Sequence, residues 1–440
     1  MPIRFVDLFA GIGGFHAVGH AFGWAPVYAC DIDEHAREIY EQNWSFVPAM
    51  DITEDANDEI MRIPAHDVLF AGFPCQPFSK SGKQNGMEES RGTLFWNIAK
   101  TIEAHRPAVV LLENVPNLAG PRHKHDWKVI IKSLRDLGYR VSTEPLVVSP
   151  HKFPKNFGGR PQTRKRIYIA ATYVPKTKIR EFPLVAEQIE LENFDWNPEN
   201  WDLLSDIKME KFSKSEDLEK LKITNSEKLW LNAWDEFVRE VLIDRNYEKL
   251  PGFPLWADVW LGKIKKSSTD PHWKTEFIIK NRKFYNDHKR VIDNWLKKHN
   301  YLEGFPPSRR KLEWQAGEVK SIYRCLIQLR PSGIRVKKMN YAPALVAITQ
   351  TTIVGPLRRR LSVREVAQLQ GLPSWFSFRA QPIAKSYKQL GNGISIGCAF
   401  QVLKGLAVRD EGVLKVSHPK LLKSIQASGN NPDTHLKQKP

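Results

Sequence analysis

The stretch IRFVDLFAGIGGF at residues 3–15 joins an apolar strand pattern to a glycine-rich turn and then to a helix pattern. The apolar run predicts a strand over Ile3–Phe9. Gly11 and Gly13 permit backbone conformations and a close ligand approach that larger residues prevent. The third glycine of a GxGxxG dinucleotide motif is missing because position 16 is His16, which disfavours an NAD-dependent enzyme. The stretch therefore predicts a turn that binds a different nucleoside cofactor.

The strand–helix rhythm continues through residue 173. Further strand patterns lie at Pro26–Cys30, Asp67–Ala71, Val109–Glu113, Tyr139–Val148 and Arg166–Thr172. Such alternation predicts an α/β fold with a doubly wound, mostly parallel sheet and helices on both faces.

The rhythm stops at about residue 174, and a charged, irregular, tryptophan-rich sequence follows. Nine of the 14 tryptophans lie between Trp196 and Trp314. Helix patterns return at Ser362–Leu369, where Ser362 and Glu365 form a capping box, and at Ile394–Leu406. The change of pattern predicts a second, smaller domain between two parts of the first.

Charge is distributed unevenly along a chain whose formal net charge is +17. Residues 187–248 carry 17 acidic and 8 basic side chains, whereas residues 262–312 carry 5 acidic and 14 basic ones. Residues 320–360 add nine Lys/Arg and no acid. The two basic stretches predict a phosphate-facing surface and a polyanionic partner. A solvated lysine-rich surface is the alternative.

The four cysteines stand far apart, at Cys30, Cys75, Cys325 and Cys398, and form no CxxC pair. This spacing predicts neither a disulfide framework nor a metal site and suits a reducing compartment. The sequence shows no signal segment and no uncharged run of membrane-spanning length. We expect a soluble cytoplasmic protein with no membrane partner and no bound metal.

One thiol stands on a turn that follows an apolar strand. Pro74 and Pro77 flank Cys75-Gln76 and restrict the backbone on both sides. A thiol on such a turn is placed as a nucleophile would be. A buried cysteine in a loop is the alternative, and it is favoured for an isolated cysteine until the other motifs are considered.

Two further motifs carry charge at strand ends. Glu113 ends the strand pattern before Asn114-Val115, where partial desolvation should raise its pKa and let it donate a proton. In Gln162-Thr163-Arg164-Lys165-Arg166, alternation places Gln162, Arg164 and Arg166 on one side, able to pair with phosphate or grip a carbonyl oxygen. A helix-capping or ion-paired acid and a surface strand are the alternatives.

Two acids follow strand patterns where a nucleoside would lie. Asp31 ends the second strand pattern, twenty residues beyond Gly11, where an acid accepts hydrogen bonds from ribose hydroxyls. Asp51-Ile52 could hold an adenine edge and face. Each signal alone is as consistent with a structural role as with a functional one.

Taken in order, these blocks resemble the DNA (cytosine-5)-methyltransferase family of bacterial restriction-modification systems. The likeness covers roughly residues 3–173 and 341–406 and ends with Gln389-Leu390-Gly391-Asn392-Gly393. A block from Arg360 to Gly371 resembles the family's penultimate motif, while the middle region matches only in position and size.

The resemblance implies the S-adenosylmethionine-dependent methyltransferase fold and a target-recognition domain. It implies methyl transfer to C5 of cytosine within a specific short duplex sequence, with base flipping, covalent catalysis by Cys75 and release of S-adenosylhomocysteine. Glu113 would act at N3 of the base, and Arg166, with Arg164 nearby, would hold the base carbonyl. The implied cofactor-binding residues are Phe9, Gly11, Gly13, Asp31, Ile32, Asp51, Ile52, Pro74, Leu94 and Asn392. The implied DNA-binding residues are Gln76, Ser79, Ser81, Arg91 and Gln162.

Two positions depart from the family pattern. Ile32 stands where many relatives carry an aromatic residue that stacks on adenine, so we expect cofactor affinity to depend more on Asp31 and Asp51. Ala344 replaces a threonine commonly found before the following leucine, which questions one backbone-positioning contact near the target base.

The resemblance also predicts domain limits and partners. We expect a catalytic, cofactor-binding domain at 1–173 with 385–415, a target-recognition domain at 174–384, and a disordered tail at 416–440. Expected partners are double-stranded DNA and a cognate restriction endonuclease that acts independently, with the enzyme a nucleoid-associated monomer. A tRNA cytosine methyltransferase is the runner-up and is disfavoured by the middle region of about 170 residues. A catalytically inactive DNA-binding module is disfavoured because both Cys75 and Glu113 are present.

Overall fold

A computed structural model of the chain describes residues 2–74, 93–207, 218–345, 351–378 and 381–439. The strands in these ranges are β1 Arg4–Leu8, β2 Ala25–Cys30, β3 Val68–Ala71, β4 Val109–Asn114, β5 Tyr139–Ser142, β6 Leu146–Val148, β7 Arg166–Tyr173, β8 Val185–Ala186, β9 Leu255–Trp256, β10 Lys311–Gln315, β11 Leu326–Arg330, β12 Gly333–Lys337, β13 Ile353–Val354 and β14 Arg359–Arg360. The helices are α1 Gly14–Ala21, α2 Glu34–Trp44, α3 Ile52–Asp55, α4 Leu94–His105, α5 Lys124–Asp136, α6 Leu203–Asp206, α7 Asn225–Asp244, α8 Ala257–Trp260, α9 His272–Asp287, α10 Lys289–Lys298, α11 Val363–Gln370, α12 Ile383–Asn392, α13 Ile396–Arg409, α14 Glu411–Ser417 and α15 Pro419–Ala427.

The chain divides into two units. The first comprises residues 1–201, 343–349 and 366–440, and the second comprises residues 202–342 and 350–365. The first unit contains an eight-stranded sheet with the order β2-β1-β3-β4-β7-β5-β8, and β6 pairs with β7. The pairs β1–β2, β1–β3 and β3–β4 are parallel, whereas β7 runs antiparallel to its neighbours β4, β5 and β6. The predicted α/β class with a mostly parallel sheet is confirmed.

Both faces of this sheet are buried. On one face Leu8 and Leu112 belong to a core that includes Ile98 of α4 and Ile130 of α5. On the other face Phe70 of β3 stacks on Phe15 of α1, with ring centroids 4.9 Å apart. Strands covered on both sides read as nearly continuous apolar runs, which explains why they were recognisable in the sequence.

The structure corrects two sequence predictions, one about a strand and one about disorder in the C-terminal tail. The single strand predicted at Tyr139–Val148 is two strands, β5 and β6, separated by a turn. The tail predicted to be disordered at 416–440 contains all of α15, in which Leu421, Leu422 and Ile425 are buried. Apolar residues at helical spacing in this short basic segment gave it a face to bury.

The unit boundaries also differ from the predicted domain limits of 173, 174–384 and 385–415. Residues 174–201 belong to the first unit because β8 pairs with β5 and because the indole of Trp201 donates to the carbonyl of His151 at 2.9 Å. Residues 366–378 belong there too, and the Asn43 side chain bonds both the amide and the carbonyl of Ser377.

The second unit is built on a six-stranded sheet with the order β14-β13-β11-β12-β10-β9. Its core contains several fully or nearly buried tryptophans. Each indole nitrogen needs a partner when buried. Trp234 donates to the carbonyl of Arg309 at 2.8 Å, Trp295 to that of Ala233 at 2.7 Å, and Trp314 to that of Gly317 at 3.0 Å. The tryptophan-rich sequence is therefore a packed core, although its periodicity did not show one.

Among the described residues, no helix combines the length and the apolar character needed to cross a membrane.

Candidate active site

The glycine-rich turn connects β1 to α1 in the first unit. Phe9, Gly11 and Gly13 all adopt positive φ, at 56°, 55° and 89°. The amide of Gly11 donates to Asp31 Oδ2 at 2.7 Å, so the turn and the end of β2 are joined directly. Backbone groups that are positioned in this way leave room for a ligand between the two strand ends.

The two predicted cofactor glycines play different parts. Gly11 faces open space, since a Cβ added there would meet no atom within 4 Å. A Cβ added to Gly13 would lie 2.1 Å from Nε1 of Trp44, a buried side chain that donates to the carbonyl of Ile12 at 3.1 Å. Gly13 is required for the packing of the turn against α2, whereas Gly11 is free to approach a ligand.

Asp31 is held in place from three sides. Its carboxylate accepts hydrogen bonds from the amides of Gly11 and Asp33 at 2.7 and 2.9 Å. Arg37 donates to the carbonyls of Asp31 and Ile32 at 2.8 and 3.1 Å and so fixes the turn after β2. Burial raises the pKa of Asp31, and the two amide hydrogen bonds oppose that rise. Each carboxylate oxygen retains a lone pair, so further donors can be bound.

A cavity of about 700 Å³ opens at this edge of the sheet, a volume in the range of small-molecule sites. All of its lining residues belong to the first unit. Nine of the ten predicted cofactor-binding residues line it, namely Phe9, Gly11, Asp31, Ile32, Asp51, Ile52, Pro74, Leu94 and Asn392. Gly13 is the exception, for the packing reason given above.

Part of the cavity wall is apolar and exposed. Ile32 is 77% exposed and Met50 is 53% exposed, although both are large apolar side chains. Asp51 lines the same cavity, and Thr53 donates to its Oδ1 through both amide and hydroxyl, at 2.9 and 2.8 Å. The described residues provide no partner for Asp51 Oδ2. The wall thus combines exposed apolar area with a free carboxylate oxygen, which suits a flat heterocycle that carries an N–H donor.

Glu113 and Arg166 meet at the other side of the same cavity. Arg166 Nε lies 2.9 Å from Glu113 Oε1, and the Glu113 side chain is 9% exposed. The two residues come together because β4 and β7 are antiparallel, with Glu113 opposite Tyr168 and Asn114 opposite Ile167. Burial raises the pKa of the Glu113 carboxyl, and the nearby charges of Arg166 and Arg164 reduce this rise without cancelling it. The predicted direction of the Glu113 pKa shift is confirmed.

The segment before the cysteine is tied to Glu113's strand. Asn114 Nδ2 donates to the carbonyl of Phe73 at 2.8 Å, and Phe73 and Pro74 line the cavity. Cys75 itself and the predicted DNA-binding residues Gln76, Ser79, Ser81 and Arg91 lie outside the described residues.

Arg164 does not line the cavity with Arg166. Its guanidinium is fully buried and donates to the carbonyl of Leu345 at 3.3 Å, to that of Gly391 at 2.9 Å and to that of Gly393. Burial lowers the pKa of Arg164 to about 10, and the charge of Arg166 acts in the same direction. Arg164 therefore connects the segment before β7 to two other segments of the cavity wall, which is a positioning role.

Gln162, predicted to contact DNA, is also fully buried. The described residues offer no hydrogen-bond partner to either polar atom of its amide. The predicted arrangement of Gln162, Arg164 and Arg166 on one face of a strand is wrong, because β7 begins only at Arg166. Of the three, Arg166 alone faces the cavity.

Several lining residues were not predicted from the sequence. They are backbone or apolar neighbours of the recognised motifs, including Met50, Gly72, Phe73, Asn114, Val115, Leu345 and Ile394. Adjacency to a recognised motif was the available signal for most of them. Leu345 had no such signal beyond the neighbouring Ala344. Its place in the wall is held by Arg164, which donates to the Leu345 carbonyl.

The fold and the cavity define a methyltransferase-like α/β domain with a buried acid beside the proposed ligand site. The family model for C-5 cytosine-specific DNA methylases matches residues 3–407. A type II methyltransferase named M.AluI, from Cellulosimicrobium cellulans, is 40% identical over 94% of this chain and 93% of its own length. M.BanI from Aneurinibacillus aneurinilyticus is 30% identical over 92% of this chain and 96% of its own, and M.HhaI from Haemophilus parahaemolyticus is 42% identical over 38% of this chain and 48% of its own.

The chain belongs to the C-5 cytosine-specific DNA methylase family. It is an enzyme, a DNA (cytosine-5-)-methyltransferase.

Proposed function

We propose that the enzyme transfers the methyl group of S-adenosylmethionine to C5 of a cytosine within a specific short duplex DNA sequence, after flipping the base out of the helix. The observation that carries this proposal is the shared cavity, which Asp31 lines at one side and Glu113 with Arg166 at the other. A cofactor and a target base could therefore meet within it.

The residues present suit the cofactor. Asp31 would accept hydrogen bonds from ribose hydroxyls, and the free Oδ2 of Asp51 would accept one from the adenine amino group. Ile32 and Met50 would cover the faces of the adenine, which accounts for apolar side chains left exposed on a cavity wall. When bound, S-adenosylmethionine supplies an electrophilic methyl group.

The base would be activated by the protein's own groups. The Cys75 thiolate would form a bond to C6 of cytosine, which makes C5 nucleophilic. Glu113, whose raised pKa favours the protonated form, would donate a proton to N3 as that bond forms, and Arg166 would hold the base carbonyl. C5 would then accept the methyl group. Loss of the C5 proton to a base and return of the N3 proton to Glu113 would let Cys75 leave C6, and its bonding electrons would stay with the sulfur.

The names of the relatives support a biological setting. Relatives over nearly the whole chain are named type II methyltransferases, so we propose that this enzyme modifies DNA in a bacterial restriction-modification system. It would act as a cytoplasmic monomer on double-stranded DNA, and a cognate restriction endonuclease would act independently. The second unit would select the sequence.

A mechanism-based trap tests the covalent step. Methylome sequencing of a host expressing the enzyme first identifies the methylated position. A duplex is then made with 5-fluorocytosine at that position, where the C5 substituent is fluorine and cannot be lost as a proton. Wild type should form a covalent adduct in the presence of S-adenosylmethionine, and peptide mapping should place it on Cys75.

The variants separate the roles of the thiols. Cys75→Ser should form no adduct while it still binds the cofactor. Cys325→Ala, at a buried cysteine of the second unit, is the matched control and should form the adduct like wild type. An adduct formed by Cys75→Ser would refute the assignment.

A further inference from the structure

The sheet of the second unit has one buried face and one polar face. Leu312 and Trp314 of β10 and Ile334 and Val336 of β12 point into the core. Side chains alternate along a strand, so the residues between them point the other way. The polar face carries Lys311, Glu313, Gln315, Gln328, Arg330, Arg335 and Lys337, together with the buried Leu326 opposite Lys337.

Three of these residues form a row across neighbouring strands. Glu313 is the cross-strand neighbour of Arg335, and Arg335 is that of Gln328. We name Glu313, Arg335 and Gln328 the polar row. Residues directly opposite on neighbouring strands have their side chains within contact distance.

Arg335 is held in one orientation. Its Nε donates to Glu313 Oε2 at 2.7 Å, and the Arg335 side chain remains 30% exposed. No other partner for the Arg335 guanidinium is found among the described residues, so its terminal Nη1 and Nη2 edge is available. Glu313 thus fixes Arg335 through Nε and leaves the Nη1 and Nη2 edge for another acceptor pair.

This geometry suits a base better than a phosphate. A guanine presents O6 and N7 as two adjacent acceptors in the major groove, and an arginine binds them with its two terminal nitrogens. A phosphate would be repelled by the Glu313 carboxylate next to the arginine, whereas the neutral edge of a base would not. Gln328, on the other side of Arg335, carries the amide that can bind an adenine edge in the same groove.

The surroundings of the polar row favour a polyanion. Residues 320–360 contain nine Lys/Arg and no acid. Arg330 and Lys337 lie on the same polar face, at the two ends of the β11–β12 hairpin. Lys337 would bind a phosphate at one end of the polar row and set the register of the strands in the groove, whereas Arg330 Nη1 already lies 3.5 Å from Glu313 Oε2.

We propose that Arg335, held by Glu313, reads a guanine in the major groove of the recognition sequence, with Gln328 beside it at the neighbouring base. The proposal rests on the proposed function and names the residues that give it specificity. It makes Arg335 a specificity-determining residue and Glu313 its positioning residue.

A modified base tests the contact. After the methylated motif is known, each guanine is replaced in turn by 7-deazaguanine, which keeps Watson–Crick pairing and lacks the N7 acceptor. For wild type, one replacement should lower kcat/KM by roughly fivefold or more, the effect of losing half of a bidentate contact. For Arg335→Ala, the same replacement should have no effect, and substrates with other base pairs at that position should be methylated.

Further variants protect the test from folding artefacts. Arg335→Met keeps most of the aliphatic stem on the sheet but removes every donor of the guanidinium, so it should behave like Arg335→Ala. Lys132→Ala removes one positive charge from an exposed pair with Asp136 on α5, outside both basic stretches, and should respond to 7-deazaguanine like wild type.

The outcomes are distinct. If wild type methylates a motif but no guanine in it responds to 7-deazaguanine, or if Arg335→Met responds like wild type, this proposal is overturned and the proposed function is not. If wild type methylates no cytosine in any duplex, the proposed function fails and this proposal fails with it.

Discussion

Replacing each of the two turn glycines by alanine should separate a packing role from a ligand role. Both Gly11 and Gly13 have positive φ, which costs an L residue roughly 1–2 kcal/mol. At Gly13 the new methyl group would also lie 2.1 Å from Trp44 Nε1. Trp44 cannot easily move, because it stacks on His16 with centroids 4.4 Å apart and donates to the carbonyl of Ile12.

The magnitudes follow from these contacts. Overpacking a dense interior adds about 1–3 kcal/mol, so Gly13→Ala should destabilise the protein by roughly 2–5 kcal/mol. Gly11→Ala meets no atom within 4 Å and should show only the backbone effect of about 1–2 kcal/mol. Its methyl group would extend into the cavity, so it should weaken binding of S-adenosylmethionine by about 1–3 kcal/mol, which is roughly 5- to 150-fold.

The assay combines urea denaturation without ligand and calorimetric titration with S-adenosylmethionine, on wild type and both variants. We expect opposite rankings of the two variants. Gly13→Ala should lose more unfolding free energy, and Gly11→Ala should lose more affinity for S-adenosylmethionine relative to the unfolding free energy that it loses. Equal destabilisation of the two variants, or wild-type cofactor affinity in Gly11→Ala, would show that the reasoning from the turn geometry is wrong.

Other predictions concern the acid and its neighbouring arginines. Glu113→Gln should slow single-turnover methylation by about 10²–10⁴, the usual general-acid contribution, and wild-type turnover would contradict the acid role. The pKa of Glu113 is raised in the folded protein, so the folded state keeps a proton that the unfolded chain loses at lower pH. The unfolding free energy of wild type should therefore fall as pH rises from the unfolded to the folded pKa of Glu113. Thermal melts of Glu113→Gln should lack this fall. Arg164→Lys should leave carbonyls such as those of Gly391 and Gly393 unpaired, which should lower the unfolding free energy by about 1–3 kcal/mol for each. It should also raise KM for S-adenosylmethionine more than it lowers kcat. Unchanged stability with a large loss of kcat would instead indicate a catalytic role.

Local sequence determined those features whose interactions are also local. Strand β1, the glycine turn and α1 follow from one continuous stretch, because apolar alternation and glycine conformational freedom act over a few residues. The capping box of α11 was predicted correctly for the same reason: Ser362 and Glu365 bond each other's backbone amides at 2.8 and 3.2 Å, three residues apart. Glu113 was recognised as an acid of raised pKa because burial at the end of an apolar strand is readable from the strand itself.

Tertiary structure alone decided which of two similar residues reaches the site. Arg164 and Arg166 are two positions apart in one motif, yet Arg166 pairs with Glu113 while Arg164 binds carbonyls of segments some 180 and 230 residues away along the chain. The same holds for Gly11 and Gly13, which differ in what approaches them and not in their sequence context. The limits of the two units, the helix near the C-terminus and the polar row on the second sheet depend likewise on partners distant in sequence. Periodicity reports the burial of one face of an element, but the identity of the neighbour on that face is fixed only when non-local strands and helices pack.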